Sequence, residues 1–201
     1  MFLYGASGHA KVIMETLECL GEKIEGLFDD NPAVQELLGM AVTKYPTGFD
    51  AQLHQLIISI GNNVIRKKVA SALKVNYGKA IHPFSQITRR CTIGEGTVVM
   101  AGVVINSDSS IGRHCIINTN ASVDHDCKVA DFVHISPNVA LCGNVSVGEG
   151  THIGAGTVII PGVTIGKWCN IGAGSVVIRD VPDYVTAVGN PTKIIKTINH
   201  T

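Results

Sequence analysis

The 201-residue sequence predicts a small α/β domain over residues 1–82, then a stacked β-solenoid over residues 83–182 and a C-terminal segment over residues 183–201. Sixteen unbroken hexads between Ile87 and Pro182 predict the solenoid, because each opens with an aliphatic residue and has a small or β-branched fifth residue. In the first 82 residues, short apolar runs typical of strands alternate with segments of helical periodicity, and this alternation predicts the α/β domain. A short fixed period is typical of repeat folds, whose units bury apolar side chains by stacking.

The first 82 residues alternate between predicted strands and helices. Strands are predicted at residues 2–4, 24–28 and 56–60, and helices follow the first strand up to residue 20 and the third strand at residues 64–73. This alternation predicts a small, Rossmann-like parallel sheet. Ligands of such sheets bind at the carboxyl ends of the strands.

Three polar or glycine-rich segments come directly after these strands. They are residues 5–9, the pair Asp29 and Asp30, and residues 61–63. The first loop precedes a helix, whose N-terminus favours a phosphate, and the two carboxylates can accept hydrogen bonds from a ribose or a base. The loop has Gly-x-x-Gly instead of the full dinucleotide fingerprint, which argues against NAD, and a tight turn without a ligand is the alternative.

The hexads predict the geometry of the solenoid. Six residues suit a short strand and a corner, three such sides close a coil of eighteen residues, and sixteen hexads make a little over five coils. We expect glycine at the second position to occur where a Cβ would be costly at positive φ. The fifth position points inward, so four cysteines are expected to be core residues and not disulfide or zinc partners: Cys91, Cys115, Cys127 and Cys169.

Charge and hydropathy exclude several classes of function. The formal net charge is zero, and the basic runs at residues 66–68 and 89–90 are expected to be solvated, which disfavours nucleic-acid binding. The apolar run at residues 1–5 is short for a signal peptide, and no stretch reaches the length of a membrane span. We therefore expect a cytoplasmic protein that binds no membrane.

The repeat resembles that of the hexapeptide acyltransferases, whose units read aliphatic–Gly–x–x–small–x, as at residues 93–98 and 153–158. This resemblance implies a left-handed parallel β-helix and a homotrimer with active sites at the subunit interfaces. Residues 4–9, 60–68 and 118–127 further resemble the nucleotide-sugar acetyltransferases related to the UDP-4-amino-sugar N-acetyltransferase of the bacillosamine pathway and to sialic-acid O-acetyltransferases. Acetyl-CoA is the implied co-substrate, and a UDP-linked sugar is the implied acceptor, with a GDP-linked one as an alternative.

Hexad position distinguishes His125 among the histidines of the repeat. Acetyl transfer to an amine needs a base for its proton and a donor for the thioester oxygen. His125 is flanked by Asp124 and Asp126, and a carboxylate can orient an imidazole and raise its pKa, although neighbours in a strand meet only across a bend. Eighteen residues stack His125 over Gly143, whereas His134 lies half a coil away, so we expect it to share a site with His125 only across an interface. No histidine of the repeat has an inward position, and all are expected to be exposed.

The resemblance also implies roles for individual residues. His125 would be the general base, with Asp126 beside it, and no metal would be needed. Lys193 would meet a CoA phosphate or be an ordinary solvated lysine. The implied acetyl-CoA groove is lined by Asn118, His134, Gly143 and Ala155. The implied nucleotide-sugar site is formed by Ser7, Gly8, His9, Asp29, Asp30 and Gly61.

Three other functions remain open at this point. The same residues suit O-acetylation of a sialic-acid-type sugar. Some left-handed β-helices are zinc hydratases, and His134 and His152, one coil apart, could supply two ligands. A non-catalytic nucleotide-binding trimer is the fourth interpretation. The pairing of His125 with Asp126 and the position of Gly143 favour the acetyltransferase.

Overall fold

The computed structural model describes residues 1–50 and 53–198. The N-terminal domain consists of β1 (Phe2–Tyr4), α1 (Gly8–Cys19), β2 (Gly26–Phe28), β3 (Glu36–Leu37), β4 (Met40–Thr43), β5 (Gln55–Ile58), α2 (Asn63–Ala72) and β6 (Asn76–Tyr77). Its sheet has the strand order β3-β4-β2-β1-β5-β6 and is parallel except for the β3–β4 hairpin.

Both helices lie where the periodicity predicts them. Helix α1 buries Ile13, Met14 and Leu17 against the sheet. Helix α2 begins after Asn62, whose side chain accepts a hydrogen bond from the Ile65 amide and so satisfies one free donor of the first turn. The carboxyl ends of β1, β2 and β5 therefore meet at one edge, with α1 and α2 leaving from it.

The β3–β4 hairpin was not predicted from the sequence. Its turn is formed by Leu38 and Gly39, both at positive φ (49° and 79°). Only the glycine favours that conformation, and a leucine in the left-handed region is uncommon. The turn therefore has no clear sequence signal.

The remaining chain forms a three-sided parallel solenoid. Its strands are β7 (Ala80–Ile81), β8 (Gln86–Ile87), β9 (Thr92–Ile93), β10 (Val98–Val99), β11 (Val104–Ile105), β12 (Ser110–Ile111), β13 (Ile116–Ile117), β14 (Ser122–Val123), β15 (Lys128–Val129), β16 (His134–Ile135), β17 (Ala140–Leu141), β18 (Ser146–Val147), β19 (His152–Ile153), β20 (Val158–Ile159), β21 (Thr164–Ile165), β22 (Asn170–Ile171), β23 (Val176–Val177), β24 (Val185–Val188) and β25 (Lys193–Thr197). Face 1 contains β7, β10, β13, β16, β19, β22 and β24, with β25 antiparallel at its end. Face 2 contains every third strand from β8 to β23, and face 3 contains every third strand from β9 to β21.

One coil of this solenoid has eighteen residues, so each residue of the strands β7 to β20 pairs with the residue eighteen positions further along the chain. Val98 pairs with Ile116, and His134 pairs with His152. The strands β8 to β23 each carry one of the sixteen hexads. Solenoid pairing already begins at β7, just before the boundary predicted between residues 82 and 83.

The interior follows the hexad positions. Every opening residue from Val99 to Val177 is at most 3 % exposed. At the fifth position Cys115, Cys127 and Cys169 are fully buried free thiols, as predicted, whereas Cys91 in the first coil is only partly buried. Hydroxyls at this position donate to corner carbonyls, as Thr97 Oγ1 does to Gly112 O at 2.8 Å. The core therefore buries these polar atoms with their partners.

Second-position glycines have a different cause from the one predicted. The positive φ angles of the repeat lie at the fourth position, for example at Gly96 (68°) and Asp126 (60°), and not at the second. A Cβ at Gly94 would instead lie 2.6 Å from the Gly112 carbonyl carbon of the next coil. Close stacking of successive coils, rather than backbone conformation, excludes a side chain there.

The N-terminal domain covers the corner between face 3 and face 1, which corrects two predictions. Arg66 is 1 % exposed, and its guanidinium donates to the carbonyls of His114 (2.8 Å) and Phe132 (2.9 Å), so it is not solvated. His114 is 4 % exposed and lies between the rings of Tyr77 and Phe132. Both predictions were wrong because the hexad pattern contains no information about a second domain packed on the solenoid.

His114 is expected to make the fold sensitive to acid. Burial, and then the Arg66 and Arg113 charges, lower its pKa to about 4, and its Nδ1 has no hydrogen-bond partner among the described residues. Because the unfolded chain binds the proton more readily, this stability is present above pH 6.5 and is lost as the pH falls toward 4.

We predict that His114→Phe changes the free energy of unfolding at pH 7.5 by less than about 1 kcal/mol, because it removes an unpaired polar atom from an aromatic pocket. Phe132 shows that phenylalanine fits this corner conformation at φ 60°. Between pH 7.5 and 5 the variant should lose up to about 2 kcal/mol less than the wild type. Urea titrations at both pH values measure this difference, and equal losses would contradict the account.

Candidate active site

The corner after β14 brings His125 and Asp126 together. Asp126 has a φ of 60°, and this bend lets two adjacent side chains meet, with His125 Nδ1 2.7 Å from Asp126 Oδ2. The side chains are 59 % and 57 % exposed, so they are accessible from outside the prism. Asp124 Oδ1 accepts from the His125 amide at 2.8 Å and from Asn106 Nδ2 at 2.9 Å, which fixes the corner.

This contact determines the chemistry of the imidazole. An ionised carboxylate only accepts hydrogen bonds, so Nδ1 carries the proton and Nε2 remains the basic nitrogen. The hydrogen bond to Asp126, together with the Asp124 charge, raises the pKa of His125 above its ordinary value. The pair is therefore arranged as an oriented base whose Nε2 points away from Asp126.

Gly143 lies one coil beyond His125, against its ring. A Cβ at Gly143 would lie 2.6 Å from Cε1 and 2.7 Å from Nε2 of His125, so only glycine fits without moving the imidazole. Among the backbone hydrogen bonds of the described residues, the Gly143 amide donates none. A free N–H donor therefore lies beside the basic nitrogen.

A second cluster lies between face 1 and the N-terminal domain. The rings of His134 and His152 are stacked at 4.8 Å, and His9 from the first turn of α1 is 6.4 Å from His134. Burial lowers the pKa of His9 to about 4 and that of His134 to about 3, and it lowers that of His152. The positive charge of Arg66 lowers all three further. This cluster is neutral at physiological pH.

Hydrogen bonds define the tautomer of His134. Asn118 Oδ1 accepts from the Thr119 amide at 2.8 Å, so Asn118 Nδ2 is left to donate to His134 Nε2, 3.3 Å away. The other ring nitrogen therefore carries the proton, and interaction with the backbone of Gly61 partly opposes the lowering of the His134 pKa. His134 therefore connects the solenoid to the loop after β5.

A cleft of about 430 Å³ opens at this junction. It is bounded by the start of α2, by face 1 and by the corner that carries Trp168. Gly61, predicted for the nucleotide sugar, and His134, predicted for acetyl-CoA, both line it. The two predicted sites thus share a wall within one chain.

The predicted nucleotide loop meets the acidic pair at the edge of the sheet. Asp29 accepts hydrogen bonds from the Ala6 amide at 2.7 Å and the Asn31 amide at 2.8 Å, so both of its oxygens are already engaged. Asp30 is exposed and accepts from the Tyr4 hydroxyl at 2.6 Å, which leaves its other oxygen available. Asp29 therefore shapes the loop, and Asp30 is the carboxylate that faces solvent.

The other predicted residues lie around these groups. Ser7 precedes α1 in an extended conformation and Gly8 is its first residue, with open space where a Cβ would be. Ala155 lies exposed at the corner between faces 1 and 2, apart from His125 and Gly143 at the corner between faces 2 and 3. Lys193 is exposed at the start of β25.

His125 and His134 do not meet within the chain. His125 follows β14 of face 2, whereas His134 belongs to β16 of face 1, on another side of the filled prism. The expected separation of the two histidines is therefore present. Within one chain, the His125 imidazole and the Gly143 amide lie at one corner, and the cleft with the neutral histidines lies on another face.

Two further observations concern metal ions and membranes. They contain no group of three or more His, Cys, Asp or Glu side chains that could hold a metal ion. No described helix has the length and hydropathy needed to cross a membrane.

We predict that Asp126→Asn lowers the pKa of His125, because the hydrogen bond to the carboxylate is the main cause of its increase. Asparagine tolerates the positive φ of this position, so the corner should keep its conformation. The histidine resonances followed by NMR between pH 5 and 9 measure the shift, with Asp124→Asn as the control for the weaker effect of the second carboxylate. An unchanged titration in Asp126→Asn would contradict the geometry.

Comparison with known proteins places this arrangement among enzymes. Residues 1–73 match the family model of the PglD N-terminal domain, and residues 144–179 match that of the bacterial transferase hexapeptide (six repeats). A UDP-N-acetylbacillosamine N-acetyltransferase from Bacillus subtilis is 42 % identical over 109 residues, which is 49 % of this chain and 50 % of that protein. The chain thus spans about half of that relative, and it spans 23 % of an uncharacterized mimivirus protein to which it is 32 % identical over 56 % of its own length.

Solved structures match over nearly the whole chain. A perosamine N-acetyltransferase from Caulobacter crescentus, in complex with CoA and GDP-perosamine, is 40 % identical, has a TM-score of 0.91, and covers 97 % of this chain and 96 % of its own. The acetyltransferase domain of PglB from Neisseria gonorrhoeae, in complex with acetyl coenzyme A, is 34 % identical with a TM-score of 0.90, and covers 96 % of this chain and 98 % of its own. The α/β domain, the left-handed parallel β-helix and these matches show that the chain belongs to the hexapeptide-repeat acetyltransferases with a PglD-type N-terminal domain.

Proposed function

We propose that this protein transfers the acetyl group of acetyl-CoA to the 4-amino group of a nucleotide-linked 4-amino-6-deoxy sugar, with a UDP-linked sugar as the first candidate. The observation that carries this proposal is the oriented His125–Asp126 pair beside the free Gly143 amide. These groups supply the two functions that acetyl transfer requires, a base and an oxyanion donor.

The reaction follows from the positions of these groups. The acceptor nitrogen attacks the thioester carbonyl, and the Gly143 N–H donates to the oxygen that becomes negative. His125 Nε2 takes the proton from the attacking nitrogen, while Asp126 stabilises the imidazolium through Nδ1. The C–S bond then breaks, and the proton passes from His125 to the sulfur of the leaving CoA. The products are an amide and free CoA thiol, with no covalent enzyme intermediate.

A homotrimer completes the site in this proposal. His125 of one subunit faces His134 of its neighbour, and acetyl-CoA lies in the groove between them, against Asn118 and Ala155. Face 2 supports this contact, since the first residues of its strands β11 to β23 are small or apolar (Val104, Ser122, Ala140, Val158 and Val176), with the polar Gln86 only in the first strand, β8. Val104 and Val158 are 37 % and 39 % exposed in the single chain, which suits a partner surface. A cyclic trimer repeats one such heterologous contact three times.

The nucleotide sugar is proposed to lie along Ser7, Gly8, His9, Asp30 and Gly61, with its sugar in the cleft. The start of α1 suits a phosphate, and the free oxygen of Asp30 suits a donor on the base or the ribose. A GDP-linked acceptor is the second candidate, because the C. crescentus structure, similar over nearly the whole chain, holds GDP-perosamine.

We expect thiol release from acetyl-CoA in the presence of an amino-sugar nucleotide and none with the free sugar. A panel of UDP-, GDP- and CMP-linked amino sugars, each beside its 4-hydroxy counterpart, identifies the acceptor by rate. His125→Ala should reduce kcat by a factor on the order of 10² or more while the Kd for CoA is unchanged. Transfer to hydroxyl acceptors alone would contradict the N-acetyl proposal, and an unchanged rate in His125→Ala would contradict the assigned base.

We predict that two inactive variants restore activity when they are combined. If His125 and His134 act from different subunits, mixed trimers of His125→Ala and His134→Ala contain some sites in which both histidines are intact. Random assembly should restore about one quarter of the wild-type sites. Refolding the two variants together and assaying thiol release measures this fraction. Co-assembled trimers with no recovered activity would contradict a shared interface site.

A further inference from the structure

The guanidinium of Arg66 is buried with every donor engaged. Its Nε donates to His114 O at 2.8 Å, and one terminal nitrogen donates to Ile60 O at 3.0 Å and Gly61 O at 3.1 Å. The other terminal nitrogen donates to Asn63 Oδ1 at 2.8 Å and to Phe132 O at 2.9 Å. An arginine has five N–H donors, and these five acceptors use all of them. Arg66 therefore has no donor left for a ligand, such as a phosphate of the nucleotide.

The charge of Arg66 has no counter-ion among these contacts. All five acceptors are neutral carbonyl or amide oxygens, and no described ion pair includes Arg66. Burial lowers its pKa to about 10, so it stays charged at neutral pH. The adjacent Lys67 differs, because it is paired with Glu149 and is 40 % exposed. Arg66 is thus a buried, uncompensated positive charge, whereas the charge of Lys67 is balanced.

This charge lies directly behind the cleft. Gly61 and Asn63, both hydrogen-bonded to Arg66, line the cleft from one side, and His134 and His152 line it from the other. His9 adds a buried Nε2 without a partner among the described residues. The charged or titratable groups around the cleft are therefore Arg66 from α2, His9 from α1, His134 and His152 from face 1, and the Lys67–Glu149 ion pair. Lys67 Nζ lies 5.2 Å from the centroid of the Trp168 ring, which lines the cleft. No carboxylate is among the residues that line the described cleft.

We propose that Arg66 is a positioning residue whose buried charge disfavours cations in the cleft, so that the acceptor enters as the free amine. This inference rests on the proposed function and deepens it. An amine with a pKa near 8 is mostly protonated at pH 7, and only its neutral form has the electron pair that attacks a thioester. Arg66 repels the ammonium form, so selection of the free amine precedes attack. His125 then takes a proton from the attacking nitrogen, not from a bound ammonium ion.

The first test follows the histidines and needs no substrate. In full-length protein labelled with 15N-histidine, Arg66→Met should raise the pKa values of His9, His134 and His152, whereas Arg66→Lys should keep them near those of the wild type. Lys67→Met is the matched control at the same domain interface, and it should shift them much less because Lys67 is balanced and partly exposed. A folded Arg66→Met protein whose histidines titrate like the wild type would overturn the proposal.

The second test uses the wild-type protein, so it stands even if Arg66→Met does not fold. With CoA bound, the Kd values of UDP- and GDP-linked 4-amino-6-deoxy sugars are measured between pH 6 and 8.5 beside those of their 4-hydroxy counterparts. Below the solution pKa of the amine, the Kd of the amino sugar should rise about tenfold per pH unit, whereas that of the hydroxyl compound should lack this slope. Parallel pH dependences would overturn the inference. If none of these sugars is acetylated, the proposed function fails, and the histidine titrations still decide the role of Arg66.

Discussion

Stacking in a constant register of eighteen residues is the constraint on which the rest of this structure depends. The register keeps every hexad opener in the interior, and it excludes a side chain at second-position glycines because successive coils approach so closely. It also places a glycine against the ring of His125, where a Cβ would displace the imidazole. A shift of one residue between these two coils would separate His125 from the Gly143 amide and would move the hexad openers out of the interior. The repeat therefore determines both the fold and the position of His125.

The N-terminal domain forms a cleft together with face 1 of the solenoid. The cleft beside His134 and His152 forms where α2 and the loop after β5 pack on face 1. Arg66 secures this contact through carbonyls of both domains. The same contact buries His114 and partly buries His9, His134 and His152, and Arg66 contributes to lowering the pKa of each of them. Arg66 thus contributes both to the packing of the two domains and to the electrostatics of the cleft.

The sequence predicted the parts of the molecule that depend on periodicity. The strands of the solenoid, the buried cysteines and the contact between His125 and Gly143 all follow from hexad position. Contacts between domains did not, because Arg66 and His114 have ordinary solvent-facing positions in their own segments. The pairing of His125 with Asp126 depended on a positive φ at a non-glycine residue, which composition does not indicate. The β3–β4 hairpin was missed for the same reason, since Leu38 adopts a conformation that its side chain does not favour.

The central claim is that each site is assembled from the base corner of one subunit and the cleft of another. A crystal structure of the protein with CoA and the nucleotide sugar tests it most directly. We expect the CoA sulfur beside the Gly143 amide and His125 of one subunit, and the sugar nitrogen in the His134 cleft of its neighbour, within reach of His125 Nε2. A structure in which one chain binds both ligands, with no contribution from a second subunit, would contradict this claim.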